Sequence, residues 1–425
     1  MIEFPPQWQT TTIRESFSIK QGKALSRRKQ RGNIRRPFLR TANVLWGRLN
    51  LDDLDEMDFS AEEVAALALE TEDLLVCEGG DIGRTAIWRG ERNDCLYQNH
   101  LHRLRRIRDD VHPLFVMYWL WAGMTQLNVY EGAGNKTTIP NLSRSRLGEF
   151  EIPLPPLVEQ KKIAAVLLKL QRAIELQDKI IQALRDLKKS TMQHVFTHGL
   201  RGEKTKMTEI GEIPESWNVV LFAQILEGSL YGLSVRGQKK GTYPILRMNC
   251  QVDGRVELTN LQYVDLNAAT FSKYRLEDGD LLFNRTNSHD LVGRTAIFHV
   301  DRKVVFASYL IRLRLDTAVV SPDFINYYLN MSKVQNRVRA LASKGVSQSN
   351  ISASKLNNFK VLLPDRIGEQ EDVVGALASL DRRLQANEYK KSNLQSLFKT
   401  LLNKLMIGNI RVGDLDIDVK DVGIQ

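Results

Sequence analysis

Cysteine is scarce in this chain: Cys77, Cys95 and Cys250 are the whole complement, and no two form a C-x-x-C pair. An odd number at these spacings speaks against a disulfide framework or a zinc ribbon and makes a reducing cytoplasm the expected setting. Long apolar runs are missing as well. The longest, residues 114–124, is too short to span a bilayer, and residues 1–5 carry neither the basic nor the apolar region of a secretory leader. Signatures of catalysis are equally thin. In Gly132-Ala133-Gly134-Asn135-Lys136-Thr137, Asn135 separates glycine from lysine, and a helix-like segment precedes the string where a phosphate loop needs a strand. Gly79-Gly80-Asp81-Ile82-Gly83 lacks the dinucleotide-binding spacing. His194 and His198 stand one helical turn apart, but Val195 follows where a zinc protease carries glutamate, and no third ligand is evident. No Ser-His-Asp or Cys-His arrangement is legible, and neither Asn-Pro-Pro-Phe nor Asp-Pro-Pro-Tyr occurs. The expectation is a soluble protein that binds and does not itself catalyse.

What the chain does contain is a repeat. Gly83-Arg84-Thr85-Ala86-Ile87 returns as Gly293-Arg294-Thr295-Ala296-Ile297, Pro37-Phe38-Leu39-Arg40 as Pro244-Ile245-Leu246-Arg247, and Glu159-Gln160 as Glu369-Gln370. The offset stays between 207 and 210 residues, so one unit has been duplicated with few insertions. Two similar halves imply a pseudo-two-fold axis, and duplex DNA is the obvious ligand with matching symmetry.

Each half reads as an α+β globular segment followed by a long helix. Short β-branched and aromatic runs at residues 86–88 and 101–107 recur at 294–300 and 310–315. Helix-like stretches at 113–130 and 322–341 follow them. Residues 158–192 contain no Gly or Pro, and Ile163, Leu167, Leu170, Ile174, Ile181 and Leu184 fall at alternating four- and three-residue steps. Residues 369–406 repeat the stripe with Val373, Leu377, Leu380, Leu384 and Leu394. These heptad seams predict an antiparallel coiled coil, each helix a rod of roughly 50 Å. Gln177 and Asn387 interrupt the stripes at equivalent positions. Either they meet at the pseudo-two-fold and fix register, or they point into solvent on a slightly rotated helix. The domains drawn from this pattern are 1–154 (globular), 155–200 (long helix), 201–366 (linker and second globular segment), 367–410 (long helix) and 411–425, a loosely held acidic tail.

The formal net charge is +10, which favours a polyanionic partner. Its densest source is residues 20–40, where Lys20, Lys23, Arg27, Arg28, Lys29, Arg31, Arg35, Arg36 and Arg40 meet no acidic residue. That density suits phosphate contact, although a solvated basic loop would look the same. Arg84 and Arg294, inside the repeated pentapeptide, join these candidates. Arg236, Lys239, Lys240 and Arg247 are the thinner version in the second half. Residues 51–73, by contrast, carry acidic side chains and no basic one, and this face is expected to avoid DNA and meet a basic partner or solvent. Side chains suited to base edges cluster at Asn284, Arg285 and Asn287, and at Lys344, Gln348 and Asn350. Their counterparts are residues 78–81 and Lys136, Thr138 and Asn141. Ordinary turn chemistry accounts for any one of them equally well.

Ile152-Pro153-Leu154-Pro155-Pro156-Leu157-Val158-Glu159-Gln160-Lys161-Lys162-Ile163 resembles the junction that opens the conserved helix in specificity subunits of type I restriction-modification enzymes. Gly211-Glu212-Ile213-Pro214-Glu215-Ser216-Trp217 resembles the opening of their second target recognition domain. Ile139, Leu147, Phe150 and Gln160 match the first copy, and Ile351, Leu356, Phe359 and Gln370 the second. Leu362, Asp365 and one extra residue before Glu369 depart from the pattern and leave the start of the second helix open. The resemblance implies a non-catalytic, cytoplasmic subunit that binds double-stranded DNA. Each recognition domain would read one half of a split target, with the coiled coil as ruler; at some 50 Å the domains would meet the duplex about one to one-and-a-half turns apart. It implies two methyltransferase subunits, which carry S-adenosylmethionine and modify adenine, and restriction subunits that use ATP and Mg. Outward residues of the first helix, such as Lys161, Lys169, Arg172, Lys179 and Arg185, become candidates for docking them. The alternative is an autonomous pseudo-dimeric DNA-binding protein without methyltransferase partners.

Overall fold

Antiparallel pairing of the same two stretches frames each half. Phe17–Gln21 pairs with Leu101–Arg106, and Leu226–Tyr231 pairs with Leu310–Leu315. The structure, a computed structural model, describes residues 2–24, 34–130, 141–344 and 348–420, leaving aside the Lys344 side chain. The chain divides into two compact units, Met1–Asp178 with Tyr389–Gln425, and Lys179–Glu388. The consecutive domains drawn from the sequence are therefore interleaved: the first unit takes the late part of the second helix and the tail.

In the first unit a four-stranded sheet runs in the order Phe17–Gln21, Leu101–Arg106, Leu74–Cys77, Thr85–Ile87. A three-stranded sheet, Asp55–Phe59, Ile34–Leu39, Leu96–Tyr97, lies in the same unit. The helix Pro113–Thr125 is buried along nearly its whole length, which is why its sequence is apolar all round. The second unit repeats this plan around a six-stranded sheet that includes Leu226–Tyr231, Leu310–Leu315, Leu281–Asn284 and Thr295–Ile297. Here the stretch 322–341, expected as one helix, is two, Pro322–Leu329 and Ser332–Ala340. Asn330 separates them and sends its amide to the carbonyl and hydroxyl of Thr295 at 3.1 and 2.9 Å. The expected linker 199–211 forms part of a hairpin, Thr205–Thr208 with Gly211–Pro214.

The first long helix spans Leu157–His198 and the second Ile367–Met406. The first runs past residue 192, within the 155–200 drawn for it, because the chain turns only at Gly199, at φ +69°, a conformation glycine adopts at little cost. The helices run antiparallel within each unit. In the first, Phe398, Leu402 and Leu405 share a core with Ile163 and Leu167, and Lys391 pairs with Asp178 at 2.5 Å. In the second, Arg185 pairs with Glu388 at 2.8 Å and Lys188 with Asp381 at 2.6 Å. Ile163, Leu167, Ile181, Val373, Leu377 and Leu384 are buried, and Leu170, Ile174, Leu184, Leu380 and Leu394 half-buried. Gln177 is 2% exposed, which rules out the solvent-facing reading for that residue. Asn387 is half-buried, its amide bonded to the Arg383 carbonyl at 2.7 Å.

Each globular part is fastened to the start of its helix by a buried glutamine. Gln160 accepts from the His112 amide and donates to the Asp110 and Pro155 carbonyls, all at 2.8 Å. Gln370 does the same with the Ser321 amide at 2.8 Å and the Val319 and Pro364 carbonyls at 3.2 and 3.3 Å. The neighbouring glutamates accept from tryptophan: Trp8 to Glu159 at 3.2 Å and Trp217 to Glu369 at 2.8 Å. Arg411 adds a two-pronged ion pair to Glu159 at 2.6 and 2.8 Å. With Val412 buried and Ile417 and Val419 packed partly on the first unit's core, the tail is docked through these residues and not loose. No helix among the described residues is long and apolar enough to cross a membrane.

Two measurements follow from this packing. Gln160→Leu strands the His112 amide and the Pro155 carbonyl, both buried, at about 1–3 kcal/mol each, so urea unfolding should show a loss on the order of 2 kcal/mol or more. His299 lies between Asp278 at 2.8 Å and Asp323 at 3.1 Å, and its hydrogen bond to Asp323, foremost, raises its pKa from 6.5 to about 9. A raised pKa gives stability that is complete below pH 6.5 and lost as pH rises through about 9. The Tm gap between wild type and His299→Gln should therefore be widest below pH 6.5 and narrow through about pH 9.

Candidate nucleic-acid interface

The repeat carries one backbone frame into both units. In the second, Leu281–Asn284 delivers Arg285, whose amide donates to the Tyr309 carbonyl at 3.0 Å and whose carbonyl accepts from Ile351 at 2.9 Å. In the first, Leu74–Cys77 delivers Glu78, with His100 and Leu142 in the same roles at 2.9 and 2.7 Å. Leu142 thus takes the place of Ile351; Ile139, matched from the sequence, lies outside the described residues. Beside each frame the chain passes so close to a neighbouring strand end that only glycine fits. A Cβ on Gly22 would lie 2.3 Å from the Tyr97 and Gln98 carbonyl oxygens, and one on Gly232 would lie 2.3 Å from that of Ala307.

Past Gly232 the second unit opens a groove of about 400 Å³, lined among others by Ser234, Arg236, Arg247, Gln262, Ser308 and Tyr309. Arg236, Lys239 and Lys240 are exposed, on a loop held by paired backbone bonds between Gln238 and Tyr263 at 2.9 Å. Arg247 is half-buried and donates to the Asn260 carbonyl at 2.9 Å. Arg285 stacks its guanidinium over Tyr231, 4.7 Å from the ring centroid. Asn284 is buried with its side-chain oxygen unpartnered among the described residues. Asn287 donates to the Met248 sulfur at 3.1 Å, and Asn350 accepts from the Thr286 hydroxyl. Gln348 and Arg294 are exposed. Lys344 is described only as part of the strand Ser343–Lys344. Sequence reasoning passed over Tyr231, Gln262 and Tyr309; the repeat offset was the one signal that could have drawn attention to them.

The first unit uses its charge differently. Lys23 pairs with Glu63 at 2.5 Å and lies 5.1 Å above the Phe59 ring. Arg35 pairs with Glu56 at 2.8 Å, and Arg40 with Asp53 and Asp55 at 3.0 and 2.9 Å. Arg84 holds Asp81 at 3.0 Å and the Thr41 carbonyl at 2.9 Å. Arg36 is half-buried, and Asn141 bridges to Gly79. The acidic stretch expected to face a partner or solvent is therefore in good part the counter-charge of the basic stretch. Their strands, Ile34–Leu39 and Asp55–Phe59, are antiparallel neighbours, and opposite charges on adjacent strands attract. Arg27, Arg28, Lys29, Arg31, Lys136 and Thr138 lie outside the described residues. Burial pushes the Cys77 thiol up to about 11 and Cys95 to about 12, which keeps both protonated and poor nucleophiles.

Comparison with known proteins gives a consistent result. The sequence model for "Type I restriction modification DNA specificity domain" matches residues 5–186 and again 222–395. The putative type I restriction enzyme MjaX specificity subunit of Methanocaldococcus jannaschii is 25% identical, covering 96% of this chain and 95% of its own. The EcoKI specificity subunit of Escherichia coli is 26% identical over 64% of this chain and 60% of its own. Among solved structures, the S subunit of a type I restriction-modification system from M. genitalium superposes with a TM-score of 0.60 at 16% identity, over 94% of this chain and 96% of that one. The likeness in structure is one of fold.

A salt series separates cations that neutralise phosphate from those that do not. Replacing Lys239 and Lys240, or Arg27, Arg28 and Lys29, with alanine should weaken duplex binding at every sequence. The salt slope should fall by about 0.9 for each phosphate that the variant no longer neutralises. Lys23→Met should leave the slope unchanged, because Glu63 already neutralises that ammonium.

Proposed function

The chain belongs to the type I restriction-modification DNA specificity family, and on that premise we propose that it is the sequence-reading subunit of such a complex. Each unit engages one half of a bipartite double-stranded target, and the long helices set the distance between the halves. The chain performs no chemistry itself. It directs two methyltransferase subunits, which bring S-adenosylmethionine to adenine, and restriction subunits that use ATP and Mg, in the cytoplasm. The observation that carries this reading is the family match occurring twice, once over each half. Support comes from the two units, which keep one backbone frame while differing in the side chains they mount on it.

Partner docking on the helices has its own physical support. Leu176 and Leu397 of the first unit are 59% and 46% exposed, and Leu187 of the second is 48% exposed. A partner that covered them would take this apolar area out of water. In the first unit Lys169 is exposed and Lys161 half-buried, while Arg185 in the second is already paired with Glu388 at 2.8 Å.

The test is to express the chain with and without its methyltransferase subunits and map modified adenines by long-read sequencing. A bipartite motif with a fixed gap, present only when both are expressed, is the expected outcome. Tight, specific binding by the chain alone with no methylation would instead favour an autonomous DNA-binding protein. Inserting four residues, about one helical turn, beside Gln177 should change the gap and leave both half-sites as they were; an altered half-site would contradict the ruler.

A further inference from the structure

Arg285 differs from the other strand-borne arginines around it. Arg314 pairs with Asp280 and Glu277 at 2.9 and 2.6 Å, and Arg312 donates to the Arg275 carbonyl at 2.7 Å. Among the described residues no carboxylate or carbonyl takes a hydrogen bond from the Arg285 guanidinium, and its Nε is buried without a partner. Its position is nonetheless fixed. The backbone is bonded on both sides, to Tyr309 and Ile351. The guanidinium carbon lies over the Tyr231 ring, 4.7 Å from its centroid, and the Tyr231 hydroxyl is itself held by the Ala353 amide at 3.0 Å. A planar fork with free donors, pre-set over an aromatic ring and bonded through its backbone to Tyr309 of the groove lining, matches the paired acceptors O6 and N7 of guanine.

The same place in the first unit holds the opposite charge. Glu78 sits in the identical frame, bonded through its backbone to His100 and Leu142. Gln21 stands where Tyr231 stands in the second unit and donates to the Glu78 carboxylate at 2.8 Å. A carboxylate has nothing to donate to guanine O6 or N7 and repels both.

We infer that Arg285, held by Tyr231, reads a guanine in the half-site engaged by the second unit, and that Glu78 removes this interaction from the other half-site. The inference rests on the proposed function. Tyr231 is a positioning residue: it orients the fork without touching the base. The two half-sites therefore differ at the step facing this frame, and the target as a whole is not a palindrome there.

The experiment uses the full chain assembled with its methyltransferase subunits and a randomised duplex library, sequencing the bound fraction. Wild type should select a bipartite motif with a guanine in the second half-site that depends on Arg285. With Arg285→Ala the preference at that one position should fall by about tenfold or more, with the first half-site unchanged as the internal control for folding. Arg285→Lys keeps the charge and loses the fork, so it should relax the same position while binding overall holds up. Tyr231→Leu should relax it too. If Arg285→Ala weakens binding at every sequence and relaxes no single position, the arginine meets phosphate and the inference is overturned. Unchanged preferences in Arg285→Ala overturn it as well. If wild type selects no bipartite motif, the proposed function itself fails and the inference falls with it.

Discussion

The buried amide of Gln160, and of Gln370 in the second unit, is the interaction on which the architecture hangs. Each sits in the first turn of a long helix, and each satisfies a backbone donor and two backbone acceptors from the loop before the globular part's main helix and from the helix entry. A buried backbone group without a partner is costly, so the loop and the helix start cannot separate without exposing all of them. A glutamine is the side chain that offers both polarities from one planar group. The result is a stiff joint between helix and globular part within each unit.

The second constraint is where charge is allowed to stay free. In the first unit the cations at Lys23, Arg35 and Arg40 face carboxylates from residues 53–63. Exposed ion pairs of this kind contribute little to stability, but they hold a basic strand quiet beside an acidic one. The second unit leaves Arg236, Lys239 and Lys240 in water beside a groove. The same fold thus presents two different electrostatic faces.

Much of the fold was legible because it is periodic or repeated. Ile163, Leu167, Val373 and Leu377 announce their burial by spacing alone, and the offset between Glu159-Gln160 and Glu369-Gln370 announces a shared role. What that role is was not legible, since nothing in a Glu-Gln pair names its partners near residues 110 and 319. The carboxylate partners of Lys23, Arg35 and Arg40 were hidden for a related reason: Lys23 and Glu63 are neighbours only once the chain has folded. Tyr231 and Tyr309 belong to no pattern, and an isolated tyrosine becomes part of a surface only when the backbone brings it there.

The interleaving of the chain has a consequence for biosynthesis. The second unit, Lys179–Glu388, is one uninterrupted stretch, whereas the first needs residues from 389 onward. Phe398, Leu402, Leu405 and Met406 belong to the same apolar core as Trp8 and Phe115. On a ribosome, which releases the chain from its N-terminus, the unit that begins first closes last. Its half-built core must wait, exposed, while more than 200 residues of its sibling are made and folded. The nascent first unit is then the stage at which this protein most needs a chaperone.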